Sequence, residues 1–433
     1  MTPRRALFVS LAWVAVAVIL QLLRQQGAPA VDTVWAEDGS IFFSQPLLEG
    51  PGALLQQYNG YIHVVPRLIG GAVSLIPPEA AAAAFAVVSA AIVGGLSIYV
   101  FVASRDILRS TVARAVLALL VAVPPPGGWE TTANIANIQW NLLFPCFLAV
   151  VVRPRTRAHM VASAVIAGAT ALTAPIALLL APVSVWGLFR WPRRAAVAVH
   201  GTFLVAAAVQ LVISLLEGST SSLESHLLDL PRLLALRVGA GTVLGERLLL
   251  ELWPALGWAL AVGGGAVLAA AAIGCWREEQ GRRSVLLIAL VASAAMFMAP
   301  VYLRGTTQLI PGVEGLSQIG ARWVVGPGLL LATVLVALAE RAASRPGAAS
   351  KATVIAVAAA LGTGVVTSFP SENQRSPGPR WSTSLNEAAE RCAGRTRVAV
   401  PVTPAPYFLA VLPCDRLTAS GSSVSALGRT ETP

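Results

Sequence analysis

The sequence predicts an all-α polytopic membrane protein with about eleven transmembrane helices, and composition, apolar run length and arginine placement support this. The chain has 433 residues, of which 56% are hydrophobic and 12% charged, and its mean hydropathy is +0.71. Apolar runs long enough to cross ~30 Å of hydrocarbon, at roughly 20 residues each, recur from Ala6 to Val366. The net charge of +10 comes from short arginine clusters between these runs, which indicates membrane topology and argues against nucleic-acid binding.

The arginine clusters also predict which loops face the cytoplasm, because positive residues favour the inner side. Arg24 directly follows the first apolar run, and many runs come after it, so a retained span is favoured over a cleaved signal peptide. Alternation then puts the N-terminus inside and the C-terminus outside the cytoplasmic membrane. The predicted spans are approximately 6–23, 79–103, 112–126, 137–152, 158–172, 174–189, 195–216, 249–275, 284–302, 321–340 and 351–367.

Two outer segments are predicted to hold helices that lie along the membrane surface. If the run 61–76 crossed the membrane, the arginine-rich loops after it would lie on the outer side. The run also ends at a Pro-Pro pair, so we assign it to the membrane interface within the outer loop 24–78. The outer loop 217–248 carries arginines among leucines and is predicted to do the same. No internal repeat supports a transporter built from two halves.

The sequence divides into a membrane domain, 1–367, and a small extracytoplasmic tail, 368–433, that is partly ordered. In the tail, 381–392 is predicted to form a short helix and 397–402 a short strand. Cys392 and Cys414 are the two cysteines of the tail, and we expect them to form a disulfide in an oxidising compartment.

The first candidate site is the acidic pair Glu37 and Asp38 in the stretch WAEDGSIFFSQ, on the outer face. Adjacent residues point in different directions, so only one of the two carboxylates is expected to face a reaction. The alternative is that Asp38 or Ser40 caps a helix beginning at Ile41.

The second candidate is YNGYIHVVPR, where His63 and Arg67 would share one face of a helix. Arg67 could bind a phosphate, and His63 and Tyr61 a sugar; the alternative is that Arg67 reaches lipid headgroups and the tyrosines anchor the interface.

The third candidate is the stretch 129–141, where Asn134, Asn137, Gln139 and Trp140 present amides and an indole at the mouth of a span. Such side chains suit hydroxyl-rich ligands, and hydrogen bonding between helices is the alternative.

Two arginines near late spans, Arg304 and Arg322, lie on the outer side against the positive-inside trend. An anionic partner is therefore expected for Arg322, either a lipid phosphate or the carboxylate of Glu314 or Glu37.

The acidic pair in a long first outer loop, followed by interfacial helices and a bundle of spans, resembles the GT-C class of integral-membrane glycosyltransferases. The strings WAEDG, YNGYIHVVPR and ANIQW, the ARW-type span start and the cysteine-containing tail are similar to uncharacterised actinobacterial polytopic membrane proteins of this type.

The resemblance implies transfer of a sugar from a polyprenyl-phosphate donor to a glycan, lipid or protein acceptor of the cell envelope, with inversion. It implies Asp38 first, and Glu37 second, as the general base. A phosphate leaving group with arginine partners needs no metal or other cofactor, although a divalent metal bridging an acid and the phosphate stays open.

Two other functions compete with this interpretation. A transporter or flippase of lipid-linked or small hydrophilic molecules would need ionisable groups near the bilayer midplane, whereas the acids here cluster at the surfaces. A non-catalytic role in envelope assembly is compatible with the same sequence.

Overall fold

The computed structural model describes residues 3–217, 225–305, 309–310, 321–369 and 372–417. Its helices in the first half of the chain are α1 (Pro3–Leu23), α2 (Ser44–Glu49), α3 (Val64–Val73), α4 (Pro78–Ala103), α5 (Thr111–Ala122), α6 (Gly128–Thr131), α7 (Ile138–Val151), α8 (Arg157–Thr173), α9 (Ala181–Arg190), α10 (Arg193–Ala195) and α11 (Thr202–Glu217).

The second half contributes α12 (Asp229–Leu233), α13 (Gly241–Leu244), α14 (Glu246–Leu256), α15 (Ala259–Trp276), α16 (Gln280–Arg304), α17 (Val325–Ala343), α18 (Ala348–Thr367) and α19 (Trp381–Glu390). Strands β1 (Arg397–Pro401) and β2 (Leu409–Pro413) form an antiparallel pair. An isolated 3₁₀ turn lies at Ala30–Asp32. Further turns of 3₁₀ or π geometry adjoin helices at Asp38–Phe43, Gly50–Leu55, Ser104–Asp106, Pro175–Leu180, Ala196–Gly201, Leu234–Ala240 and Ala321–Val324.

The structure confirms the predicted class, a mostly helical protein with several apolar helices that are candidates to cross a membrane. Within the described ranges, 7 helices are long and apolar enough to cross a membrane: Arg4–Leu23, Pro78–Asp106, Arg193–Leu216, Ala259–Trp276, Gln280–Arg304, Ala321–Ala343 and Ala348–Thr367. The other four predicted spans coincide with α5, α7, α8 and the stretch Pro175–Arg190. These helices are shorter than the ~20 residues that a full crossing needs, so the count of eleven stays a prediction.

One predicted span is wrong as a single helix. The run 249–275 is broken between α14 and α15, where Gly257 has a φ of +49°. A left-handed backbone at a glycine ends a helix, so α14 and α15 are separate elements.

Ion pairs join the arginine-rich connections at one end of the bundle. Arg109 lies 3.0 Å from Glu279, and Arg282 lies 2.8 Å from Glu340. Arg341 lies 3.5 Å from Glu278 in the same group. The connections after α4, α15 and α17 therefore lie together, as the predicted alternation of loops requires, while the orientation of the termini across a membrane stays a prediction.

The run 61–76 contains α3, a helix of 10 residues, which is too short to cross a bilayer. α3 packs directly on the turn Asp38–Phe43, because a Cβ at Gly70 would lie 2.2 Å from the carbonyl oxygen of Phe42. On its other face Leu68 is 58% exposed. These contacts support the interfacial assignment and make α3 a platform for the acidic loop.

The outer loop 217–248 does not form one surface helix, which corrects that prediction. Residues 218–224 lie outside the described residues, and from Leu234 to Thr242 most side chains are buried against α15. Arg237 is buried and lies 3.5 Å from Glu246. Arg232 and Arg247 do lie at the surface, as predicted, with side chains that are 66% and 64% exposed.

The tail folds as predicted over its described part, with helix α19, strand β1 and a disulfide between Cys392 and Cys414. It shares a core with the acidic loop. The Ala36 N–H donates to the Thr403 carbonyl at 2.6 Å, and the Val411 N–H donates to the Ser44 hydroxyl at 2.8 Å. The tail therefore braces the loop that carries Glu37 and Asp38.

Candidate functional site

The acidic loop is helical from Ala36 onward, so both acids lie inside a helical turn and not before one. The predicted cap of a helix at Ile41 is wrong, because neither acid caps this helix and the Ser40 hydroxyl donates to the Ala36 carbonyl at 3.0 Å. Successive helical residues point about 100° apart, so the two carboxylates face different surroundings.

Asp38 is buried and holds a distant segment in place. Its carboxylate accepts the Ile135 N–H at 3.1 Å and the Ala136 N–H at 2.8 Å. Burial raises the pKa of Asp38 to about 7, while the two N–H groups and the guanidinium of Arg375 act in the opposite direction. Asp38 thus ties the acidic loop to the start of α7, and its carboxylate does not line the cavity described next.

A cavity of about 480 Å³ opens between the first outer loop, the start of α7, the end of α16 and the start of the Ala321–Ala343 helix. Its volume lies in the range of small-molecule sites. Its polar and aromatic lining consists of Glu37, Phe42, Tyr58, Asn59, Tyr61, His63, Asn137, Gln139, Trp140, Ser214, Arg304, Arg322 and Trp323. The structure therefore brings most of the predicted site residues into one place.

Glu37, the second choice from sequence, is the acid of this cavity. Burial raises the pKa of Glu37, the charge of Arg322 lowers it, and the carboxylate of Glu130 raises it. A carboxylate with a raised pKa is a stronger base than an exposed one. Of the two acids it is therefore Glu37 that lines the cavity, whereas the sequence placed Asp38 first.

Arg322 has the anionic partner that its outer position predicted, but the partner is Glu130. The Arg322 N–H donates to one oxygen of Glu130 at 2.9 Å, and the guanidinium pairs with the other oxygen. The Arg322 side chain is 30% exposed and reaches the cavity, where Arg304 joins it. Glu314, another partner suggested from sequence, lies outside the described residues.

Arg67 does not reach the cavity, which corrects the prediction of a phosphate ligand there. It is a buried residue of α3, and its guanidinium donates to the side chain of Gln45 and to the Gln57 carbonyl. It also lies over the ring of Phe42, at 5.4 Å from the centroid. All three partners lie within the first outer loop, so Arg67 holds that loop together.

His63 and Tyr61 form an aromatic wall, with ring centroids 3.7 Å apart and nearly stacked planes. His63 can present its ring here because its backbone is left-handed, with a φ of 56°. Burial and the nearby charge of Arg67 lower the pKa of His63 to about 3, so the imidazole is neutral at physiological pH. The Gln139 amide reaches the Tyr61 hydroxyl at 3.4 Å.

The predicted asparagine cluster serves mainly the local backbone. Asn134 donates to the carbonyls of Glu130 and Thr132 at 2.8 and 3.1 Å, and Asn137 donates to the Glu130 carbonyl at 3.0 Å. Asn134 does not line the cavity, whereas Asn137, Gln139 and Trp140 do. Within the described ranges the Trp140 indole N–H has no hydrogen-bond partner, which leaves a buried donor for a ligand.

Sequence reasoning gave no role in the site to Glu130 or Trp323, and it considered Tyr58 only as an interface anchor. Glu130 begins the same polar stretch that carries the asparagines, and Trp323 directly follows Arg322. A signal therefore existed in both places, since each adjoins a residue already selected. Among the described residues no group of three His, Cys, Asp or Glu side chains could hold a metal ion.

No protein-family model matches the chain, and a comparison with curated proteins finds no match. Among solved structures, the chain is similar to the single-particle cryo-EM structure of arabinofuranosyltransferase AftD from Mycobacteria. The TM-score is 0.49 and the identity 16%, over 91% of this chain and 29% of that one. The chain thus spans less than a third of that structure.

Proposed function

We propose that the protein is a membrane glycosyltransferase that moves a sugar from a polyprenyl-phosphate donor to an acceptor of the cell envelope. The observation that carries this proposal is the cavity itself, which is lined by the carboxylate of Glu37 and by two arginines, together with aromatic and amide side chains. An acid, a cationic phosphate site and a wall of rings and amides are the groups that sugar transfer from a phosphate requires.

In the proposed reaction Glu37 accepts the proton of the acceptor hydroxyl as its oxygen attacks the anomeric carbon of the sugar. The bond between that carbon and the phosphate oxygen breaks, and its electron pair leaves with the phosphate. Arg322 and Arg304 stabilise the developing charge on the phosphate. A single displacement of this kind inverts the anomeric centre.

Tyr61, His63 and Trp140 are proposed to bind the sugar. The stacked rings offer an apolar surface for a sugar face, and the Trp140 indole N–H is a donor for a hydroxyl oxygen. Asn137 and Gln139 add amides that can donate to or accept from further hydroxyls. A neutral His63 adds no charge to this surface, which suits an uncharged sugar ring.

The proposed orientation puts the cavity outside the cytoplasmic membrane, at the end of the bundle away from the arginine-rich connections. This side suits a donor carried on polyprenyl phosphate and an acceptor in the envelope, whether glycan, lipid or protein. The disulfide in the adjoining tail supports the same assignment, because disulfides persist in oxidising compartments.

The test is sugar transfer by the purified full chain in lipid nanodiscs, with radiolabelled polyprenyl-phosphate sugars and envelope glycans as acceptors. We expect transfer by the wild type, loss with Glu37→Gln, and wild-type activity with Glu49→Gln, which changes an exposed acid of the same loop. In proteoliposomes a transporter would move the donor across the bilayer with its sugar–phosphate bond intact. Such movement without bond cleavage would overturn the enzyme assignment.

A further inference from the structure

Glu130 lies behind the cavity wall, in the short helix α6, with a nearly fully buried side chain. Its two carboxylate oxygens have separate tasks: one accepts the main-chain N–H of Arg322 at 2.9 Å, and the other pairs with the Arg322 guanidinium. Glu130 thus fixes both the backbone and the side chain of an arginine that reaches the cavity.

The turn that carries Glu130 is itself held rigidly. Asn134 and Asn137 donate to the Glu130 carbonyl at 2.8 and 3.0 Å. On the other side a Cβ at Gly127 would lie 2.0 Å from the Ala321 carbonyl oxygen, so the turn sits directly against the residue before Arg322. A carboxylate so constrained has little freedom to release Arg322 and reach another partner.

Arg322 and Glu37 both line the cavity, and the charge of the Arg322 guanidinium acts on the Glu37 carboxylate as well as on Glu130. Other groups near Glu37 are Tyr58, Tyr61 and His63 of the first loop, Arg304 of α16, and the adjacent Asp38. Since Glu130 balances the charge of Arg322 from behind, Arg322 lowers the pKa of Glu37 less than an unpaired arginine would.

We infer that Glu130 is a positioning residue that holds the Arg322 guanidinium at the cavity wall and shares it with Glu37. This role matters for catalysis only under the proposed function, in which Glu130 keeps Glu37 basic while it holds Arg322 in place for the donor phosphate. The arrangement itself is a claim about charges and can be tested without sugar transfer.

The first experiment measures the pH midpoint at which a carbodiimide and an amine label Glu37 in the full chain, located by peptide mass spectrometry. Carbodiimides react with protonated carboxyls, so the midpoint follows the pKa of Glu37. Glu130→Gln removes one negative charge and is expected to lower the midpoint by several tenths of a pH unit. Glu246→Gln is the matched control, since Glu246 also pairs with a buried arginine, Arg237, outside the cavity, and it is expected to leave the midpoint unchanged.

A second variant keeps the test decisive if Glu130→Gln does not fold. Glu130→Asp retains the charge but is one methylene shorter, so it cannot reach both the main-chain N–H and the guanidinium of Arg322. We expect severalfold faster labelling of Arg322 by phenylglyoxal, relative to exposed Arg109, with the Glu37 midpoint near that of the wild type.

Folded Glu130→Gln with an unshifted Glu37 midpoint, or Glu130→Asp with unchanged Arg322 labelling, would overturn the inference. If the wild type transfers sugar, the acid limb of kcat/KM against pH should move down in Glu130→Gln by the same amount as the labelling midpoint. If the wild type transfers no sugar from any donor, the proposed function fails, and the two labelling experiments still decide the role of Glu130.

Discussion

Replacing Asp38 by asparagine is expected to destabilise the fold at the acidic loop. It leaves in place Glu37, the proposed base for the acceptor hydroxyl. The Asp38 carboxylate accepts two backbone N–H groups, from Ile135 at 3.1 Å and Ala136 at 2.8 Å. An asparagine amide has one oxygen to accept and an NH₂ that faces the second N–H. One buried donor is then left without an acceptor, which costs about 1–3 kcal/mol of folding free energy.

The size of this loss is expected to depend on pH. Burial raises the pKa of Asp38 to about 7 from its ordinary 3.8, so between these values the folded chain binds more protons than the unfolded chain. The contribution of Asp38 to stability therefore falls as pH rises from about 4 to about 7, while asparagine does not titrate. The deficit of Asp38→Asn should be larger at pH ~5 than at pH ~8, because the wild type is relatively more stable at the lower pH.

The assay is the apparent melting temperature in detergent, followed by tryptophan fluorescence at both pH values. Asp32→Asn is the control, because the Asp32 carboxylate also accepts two hydrogen bonds, from Ser382 at 2.9 Å each, but in an exposed position where water can replace them. A deficit that grows with pH would refute the reasoning. So would an Asp38→Asn protein that melts like the wild type but has lost all transfer, since Asp38 would then be the base.

Three further predictions follow from the structure. Arg322→Ala should lower kcat/KM for the donor by at least tenfold, about 1.4 kcal/mol, because the phosphate loses a charge-assisted partner; unchanged donor kinetics would contradict this. Cys392→Ser opens a link between residues 22 apart and should destabilise the tail by about 3 kcal/mol, seen as faster proteolysis of the tail under native conditions. Gly127→Ala should lower the melting temperature and the activity together, since its Cβ would meet the Ala321 carbonyl at 2.0 Å and its φ is +66°; Gly263→Ala, which meets nothing within 4 Å, is the control.

Apolar periodicity and run length predicted the helices well, because burying a helix in lipid leaves a long and unbroken signal. Each predicted span overlaps a helix, and the misfit of 61–76 as a span correctly indicated a helix too short to cross, α3. The tail was also predictable, since the helix at Trp381 and the strand at Arg397 follow local patterns. There were two exceptions: the run 249–275 is divided at Gly257, and in 217–248 leucines between arginines are compatible with a helix whose apolar side contacts either lipid or protein.

The assignment of individual polar residues could not be made from sequence in the same way. Glu37 and Asp38 are adjacent, and what separates them is a pair of N–H groups almost a hundred positions away at Ile135 and Ala136. Arg67 could face a phosphate or the protein, and only tertiary packing over Gln45 decides between them. Long-range contacts of this kind produce no pattern in the sequence. The general region of the cavity could be predicted, because its lining residues come from a few polar stretches.

The most direct test of the account is the single-turnover rate of sugar transfer by Glu37→Gln, with Asp38→Asn measured alongside under donor saturation. If Glu37 accepts the proton, the rate for Glu37→Gln should fall by about 10²- to 10⁴-fold with little change in melting temperature, because glutamine has the same size but cannot act as a base. Asp38→Asn should retain measurable transfer. Near wild-type transfer by Glu37→Gln would contradict the assignment of this carboxylate as the base of the reaction.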